Sequence, residues 1–188
     1  MPFPKTLTLI LGGARSGKSS HALALARTRA QRVVFVATAT AGDDEMAARI
    51  ARHQAERPPQ WETRELPRAV GRALEAAPPQ ADLLLLDDLT LLVSNVLLAA
   101  VGEADPAALA VQENARRAVD DEIEALLHAY HNLPLAWIVV SNEVGWGLVP
   151  ASPLGRLYRD LLGWANRRLA AEADEVLLMV AGLPMQVK

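Results

Sequence analysis

The chain alternates short apolar runs with longer stretches in which apolar residues recur at helical spacing. Leu7–Leu11, Val33–Ala37, Leu83–Leu86 and Leu135–Val140 are nearly uninterrupted apolar runs of strand length, as strands buried on both faces require. Between them the pattern predicts helices after Gly17, from Asp43 to about Glu56, over Ala69–Ala76, from the residues after Asp88 to about Ala100, from about Ala107 to His131, and over Pro153–Ala173. Asp43, Asp44 and Glu45 stand where the positive end of a helix dipole favours acids. Pro78-Pro79 stops the third of these helices, and Gly102-Glu103-Ala104-Asp105-Pro106 separates the fourth from the fifth. Trp61–Leu66 alternates and predicts a short edge strand, while Glu175–Ala181 and Met185–Val187 predict a C-terminal antiparallel hairpin. Strands alternating with helices imply an α/β fold, a mainly parallel sheet flanked by helices, and the expected extent is one domain over 1–188. Ligands of such sheets lie at the carboxyl ends of the strands. The polar residues that follow each strand are therefore the candidates for function.

The first strand is followed by Gly12-Gly13-Ala14-Arg15-Ser16-Gly17-Lys18-Ser19 and then by an Ala- and Leu-rich helical stretch. Strand, glycine loop and helix in that order are the context in which G-x-x-x-x-G-K-[ST] binds phosphate. Small residues let the backbone curl so that its N–H groups converge on an anion, and the helix dipole adds to that field. Lys18 is placed for the β- and γ-phosphates and the Ser19 hydroxyl for Mg²⁺. The expected fold is thus of the P-loop NTPase (RecA-like) type, binding ATP or GTP.

Composition narrows the alternatives. The 188 residues carry a formal net charge of −3 and no cysteine, which excludes disulfides, thiolate metal sites and a cysteine nucleophile. No clustered basic surface suggests nucleic acid, and no apolar run reaches the length of a membrane span. No leader pattern precedes the first strand. A cytoplasmic location is expected.

Asp87 follows the last leucine of its strand, where an acid of a P-loop enzyme orders the metal; Asp88 is placed to begin the next turn or cap the following helix. Arg49, His53 and Arg57 recur every four residues and share one face if the helix continues. Two guanidiniums beside an imidazole disfavour its protonation and could bind the phosphate it attacks. That suits a histidine nucleophile, although a solvated basic face has the same spacing. Asn142 and Glu143 follow the Leu135–Val140 strand and read either as phosphate or substrate contacts or as a polar turn. His128 and His131 have no evident partner, and His21 reads as a packing or hydrogen-bonding residue.

These residues resemble the CobU/CobP family of bifunctional adenosylcobinamide kinases and adenosylcobinamide-phosphate guanylyltransferases. The resemblance begins at Gly12–Ser19 and continues through Ala37-Thr38-Ala39, Asp43–Met46, Arg49-Ile50, His53, Arg57-Pro58, Trp61, Thr63 and Glu65. It resumes at Asp87, Leu89-Thr90 and Asn95, in Ser141–Pro150, and at Arg156, Arg159, Asp160, Asn166 and Ala173–Val176. It covers essentially the whole chain. Where relatives often place Cys after the strand-ending acid, this chain has Asp88.

The resemblance implies two reactions. A γ-phosphate passes from ATP or GTP to adenosylcobinamide, and GMP then passes from GTP to that phosphate through a histidine-bound intermediate, here on His53. It also implies Glu65 as a nucleotide contact and a homotrimer with sites between subunits. The residues alone leave two rivals, a P-loop small-molecule kinase without the second activity and a non-catalytic nucleotide-binding regulator.

Overall fold

The computed structural model describes residues 4–40, 54 and 57–188. Its strands are β1 (Leu7–Gly12), β2 (Val33–Ala37), β3 (Glu62–Glu65), β4 (Leu83–Asp87), β5 (Ala136–Val140), β6 (Glu175–Val180) and β7 (Leu183–Gln186). They form one sheet in the order β3-β2-β4-β5-β1-β6-β7. All neighbouring pairs are parallel except the last, where β7 returns antiparallel to β6. The helices are α1 (Lys18–Arg29), α2 (Val70–Ala76), α3 (Leu89–Val101), α4 (Leu109–Asn132) and α5 (Pro153–Glu172). The α/β reading, the edge strand and the terminal hairpin all stand. Of the helix expected from Asp43 to about Glu56, Gln54 alone is among the described residues, and Arg49 and His53 are outside them.

Because side chains alternate across a strand, the apolar runs supply two separate cores. Leu7, Leu9, Val34, Val36, Leu84, Leu86, Trp137 and Val139 face the layer built from α2, α3, α4 and α5. Ile10, Phe35, Leu83, Leu85, Ile138 and Val140 face Ala22, Leu23 and Ala26 of α1. The long helix α4 buries Ala115, Val119, Ile123, Leu126, Leu127 and Tyr130 at helical spacing, so it presents one apolar stripe to the sheet side. None of the described helices is long and apolar enough to cross a membrane.

Packing between α2 and α4 depends on one glycine and one carboxylate. A Cβ at Gly71 would stand 2.1 Å from the Ala125 carbonyl oxygen, so only glycine allows the two backbones to approach this closely. Ala69, which precedes α2 with φ 54°, supplies no side-chain cap. Instead Glu122 reaches over from α4 and accepts from the backbone N–H groups of Ala69 (2.9 Å) and Val70 (2.8 Å). That satisfies two of the orphan donors at the start of α2 and places a negative charge at its positive end.

The register aligns the strand ends that matter. Ala37 pairs with both Glu65 and Asp87, Asp87 with Val140, and Val140 with Ile10. The residues following β1, β2, β4 and β5 therefore emerge along one edge.

A pair of alanine substitutions separates close packing from helix propensity. Gly71→Ala is expected to destabilise by about 1–3 kcal/mol, because a rigid carbonyl must move. Gly163→Ala in α5, whose Cβ would meet nothing within 4 Å, is expected to be neutral or to stabilise by about 0.5–1 kcal/mol. Urea unfolding of both variants at one pH checks the difference.

Candidate active site

The turn after β1 has the conformations its sequence calls for. Gly12 has φ 150°, Arg15 φ 57° and Gly17 φ 92°, and Gly17 precedes the first turn of α1. A Cβ at Gly12 would stand 2.7 Å from Ser16 Oγ and 2.8 Å from the Met179 carbonyl oxygen. The loop is closed by a bond from Ser16 N–H to the Gly13 carbonyl (3.3 Å). Ser16 Oγ is buried with no hydrogen-bond partner among the described residues, a donor available to an oxygen anion held by this loop.

Lys18 is 8 % exposed. Its ammonium donates to the Gly13 carbonyl at 2.7 Å and to Asn142 Oδ1 at 3.2 Å. Ser19 Oγ donates to Asp87 Oδ1 at 3.2 Å. The two adjacent acids have different surroundings. Asp87 is the last residue of β4, whereas Asp88 caps α3 by accepting from the Leu91 N–H at 2.8 Å. Buried Thr38 receives the Asp88 N–H on its hydroxyl (3.0 Å) and donates to the Asp88 carbonyl (2.7 Å). Asn95 of α3 donates to the carbonyls of Thr38 and Pro67, tying the ends of β2 and β3 to the same corner. Tyr158 of α5 lies against this corner, and burial followed by the Asp88 charge pushes its phenol up to about 12.

The segment after β5 continues to pair with β1 beyond the strand itself. Ser141 N–H donates to the Ile10 carbonyl (2.9 Å) and Glu143 N–H to the Gly12 carbonyl (3.1 Å). Thr90 of α3 receives the Asn142 N–H at 2.9 Å. From α5, Asn166 donates to the Asn142 carbonyl (3.0 Å) and Glu143 Oε1 (3.2 Å) and accepts from Ser141 Oγ (2.6 Å). Asn142 is thus held against Lys18 from three directions.

Arg57 lies on the far side of the site. Its guanidinium sits 3.6 Å from the centroid of the Phe35 ring, and its Nε and Nη1 are buried without hydrogen-bond partners among the described residues. Burial lowers its pKa from the ordinary value, while the charges of Asp87 and then Glu65 act in the opposite direction. Glu65 ends β3 and receives a weak bond from Gln54 Nε2 at 3.4 Å. The structure therefore gathers Gly12–Ser19, Asp87, Asn142, Glu143, Arg57 and Glu65 at one edge of the sheet. Arg49 and His53 lie outside the described residues.

Some contacts had no sequence signal. Asn166 belongs to the family resemblance, yet its place in the helical pattern of α5 gives no hint of a contact with the β5 loop. The β6–β7 turn, Ala181 (φ 51°) and Gly182 (φ 83°), has the consecutive positive φ values of a two-residue hairpin turn. It packs on the glycine loop, with Gly182 N–H donating to the Ser16 carbonyl at 3.0 Å. His128 and His131 are exposed as expected, but each has a partner. His128 meets Glu75 at 2.8 Å and His131 meets Glu172 at 3.5 Å, away from the site.

The sequence is similar to known proteins over almost its full length. The bifunctional adenosylcobalamin biosynthesis protein CobU of Salmonella typhimurium is 45% identical over 184 residues, 97% of this chain and 99% of that protein. The corresponding CobP protein of Pseudomonas aeruginosa is 44% identical over 180 residues, 96% of each. Among solved structures, a prototypical ATPase from the type III secretion system of pathogenic bacteria matches with a TM-score of 0.52 and 15% identity, covering 92% of this chain and 50% of that one. That likeness is one of fold. A family model described as cobinamide kinase / cobinamide phosphate guanyltransferase matches residues 8–187. The chain belongs to that cobinamide kinase / cobinamide phosphate guanyltransferase family.

Proposed function

We propose that the protein is a cytoplasmic enzyme, one catalytic domain over 1–188, that carries out two successive reactions. It phosphorylates adenosylcobinamide with ATP or GTP and then joins GMP from GTP to the phosphate it has made. The observation that carries this reading is the family match over residues 8–187, which spans both the glycine loop and the segment bearing His53.

In the first reaction the hydroxyl oxygen of the aminopropanol arm bonds to the γ-phosphorus. The bond from that phosphorus to the β-phosphate oxygen breaks, and the hydroxyl proton is released. Such transfer is mostly positioning and charge stabilisation. The loop Gly12–Ser19 cradles the phosphates, and Lys18 opposes the charge that develops on the leaving group. Ser19 Oγ and Asp87 Oδ1, 3.2 Å apart, are hard oxygen donors of the kind Mg²⁺ takes. Bound there, Mg²⁺ would neutralise phosphate charge. Asn142 and Glu143 face the transferred group, with Asn142 steadying Lys18.

In the second reaction a ring nitrogen of His53 bonds to the α-phosphorus of GTP as the bond to the β-phosphate oxygen breaks and pyrophosphate leaves. An oxygen of cobinamide phosphate then bonds to the same phosphorus, the P–N bond breaks, and His53 is regenerated. Arg57, with two buried nitrogens lacking partners among the described residues, would gain most from an incoming phosphate. Arg49 and Glu65 complete the proposed contacts with phosphate and nucleotide.

The proposed assembly is a homotrimer. Trp146, Leu148 and Val149 beside the site are exposed by 74 %, 97 % and 64 %, and Leu183 and Met185 on the edge strand by 70 % and 54 %. Exposed apolar groups of that size suit an interface between copies.

Three outcomes are expected. Incubation with α-labelled GTP and Mg²⁺ should leave acid-labile, base-stable label on the protein. His53→Asn should remove that label while cobinamide phosphorylation continues; a wild-type protein that binds GTP without being labelled would overturn the second activity. Lys18→Met should lower kcat/KM of the kinase reaction by about 10²–10³-fold, the cost of losing a single aligned electrostatic group, as steady-state assays would measure. Light scattering coupled to gel filtration should give the mass of three chains, falling toward one on Leu183→Glu with Met185→Glu.

A further inference from the structure

Asn166 is 4 % exposed and sits on α5, outside every segment expected to touch nucleotide. A buried primary amide must satisfy two donors and an acceptor, and leaving one unmade is costly. Its amide orientation is dictated by its surroundings. Oδ1 receives the Ser141 hydroxyl at 2.6 Å, and Nδ2 faces the Asn142 carbonyl at 3.0 Å and Glu143 Oε1 at 3.2 Å. The reversed amide would set its carbonyl against two acceptors. Three consecutive residues of the β5 loop are thus read by one side chain.

The middle one, Asn142, carries the consequence. Its side-chain oxygen takes one of the bonds from the Lys18 ammonium, at 3.2 Å, and its N–H is held by Thr90. Without Asn166 the Asn142 carbonyl and the Glu143 carboxylate lose their common donor. The loop can then turn its Asn142 side chain away from Lys18.

We propose that Asn166 is a positioning residue for the phosphate-binding lysine. By donating to the Asn142 carbonyl and Glu143 it fixes the Asn142 amide oxygen that holds Lys18 in line with the glycine loop. This rests on the reading that Gly12–Ser19 bind the triphosphate, and it does not depend on what accepts the phosphate.

The test is a double-mutant cycle between Asn166→Ser and Asn142→Ala, read as the affinity for a fluorescent GTP analogue with Mg²⁺. Asn166→Ser alone should weaken binding by about tenfold, within the range for residues sharing one hydrogen-bond network. In the Asn142→Ala background the same substitution should cost less than about twofold, as expected when one residue acts through the other. Equal losses in both backgrounds would mean a merely structural role and would overturn the proposal, as would no loss in either. Should Asn166→Ser fail to fold, Asn166→Asp of the same shape gives a second reading. Its binding should recover toward the wild-type value as pH falls and the carboxyl regains a donor, whereas a pH-independent loss counts against the proposal. A wild-type protein that binds the analogue but phosphorylates no cobinamide would defeat the kinase reading and leave the cycle fully interpretable.

Discussion

The site depends on hydrogen bonding between β1 and the segment after β5 that continues past the end of β5. Ser141 to Ile10 and Glu143 to Gly12 are backbone bonds made by residues no longer in a strand. They bring the β5 loop directly against the glycine turn. Without them, the lysine that begins α1 and the asparagine that follows β5 would be joined only by two side chains. Backbone groups cannot easily change partners when buried, so the phosphate loop is braced by the sheet itself. That holds in place a turn whose internal closing bond, Ser16 N–H to the Gly13 carbonyl, is long at 3.3 Å.

The opposite flank of the same loop is braced by a different device. The hairpin turn at Ala181-Gly182 approaches so closely that a Cβ on Gly17 would lie 3.3 Å from the Gly182 Cα. Gly12 is likewise confined by Met179 of β6. The glycines of the motif therefore answer two demands at once. Their positive φ values suit the turn, and their missing side chains admit β6 and the hairpin. An apolar strand that looks peripheral, β7, exists in part to close that turn.

Much of this could be read from the chain because it was encoded locally. Leu83–Leu86 announced a buried strand, and the two acids after it sorted by position, Asp87 beside Ser19 and Asp88 on the cap of α3. The glycine loop carried its own context. What escaped the reading was contact between distant segments whose residue types are common. Asn166 lies 24 positions from the carbonyl it holds, and a single asparagine on an amphipathic helix gives no sign of facing inward. His128 looked partnerless because Glu75 is 53 residues away on another helix. Periodicity reports which face of an element is buried, not which polar group waits on the opposite side.

Charge at the site is governed by burial more than by number. The chain as a whole carries a formal net charge of −3. At this edge the Lys18 ammonium and part of the Arg57 guanidinium are withdrawn from water, Asp87, Asp88 and Glu143 are half-buried, and Glu65 is exposed. Buried charges are screened far less than exposed ones, so Lys18 and Arg57 act on an anion at the strand ends more strongly than their number suggests, against the half-buried carboxylates of Asp87, Asp88 and Glu143. Desolvating Arg57 is costly in itself. The face of Phe35 recovers part of that cost through its ring quadrupole, and Asp87 and Glu65 recover more through their charge. A phosphate oxygen within reach of Nε and Nη1 would recover the remainder. Among the described residues nothing accepts from those two nitrogens, so an acceptor supplied from outside them, rather than a larger count of positive residues, is what would relieve the cost.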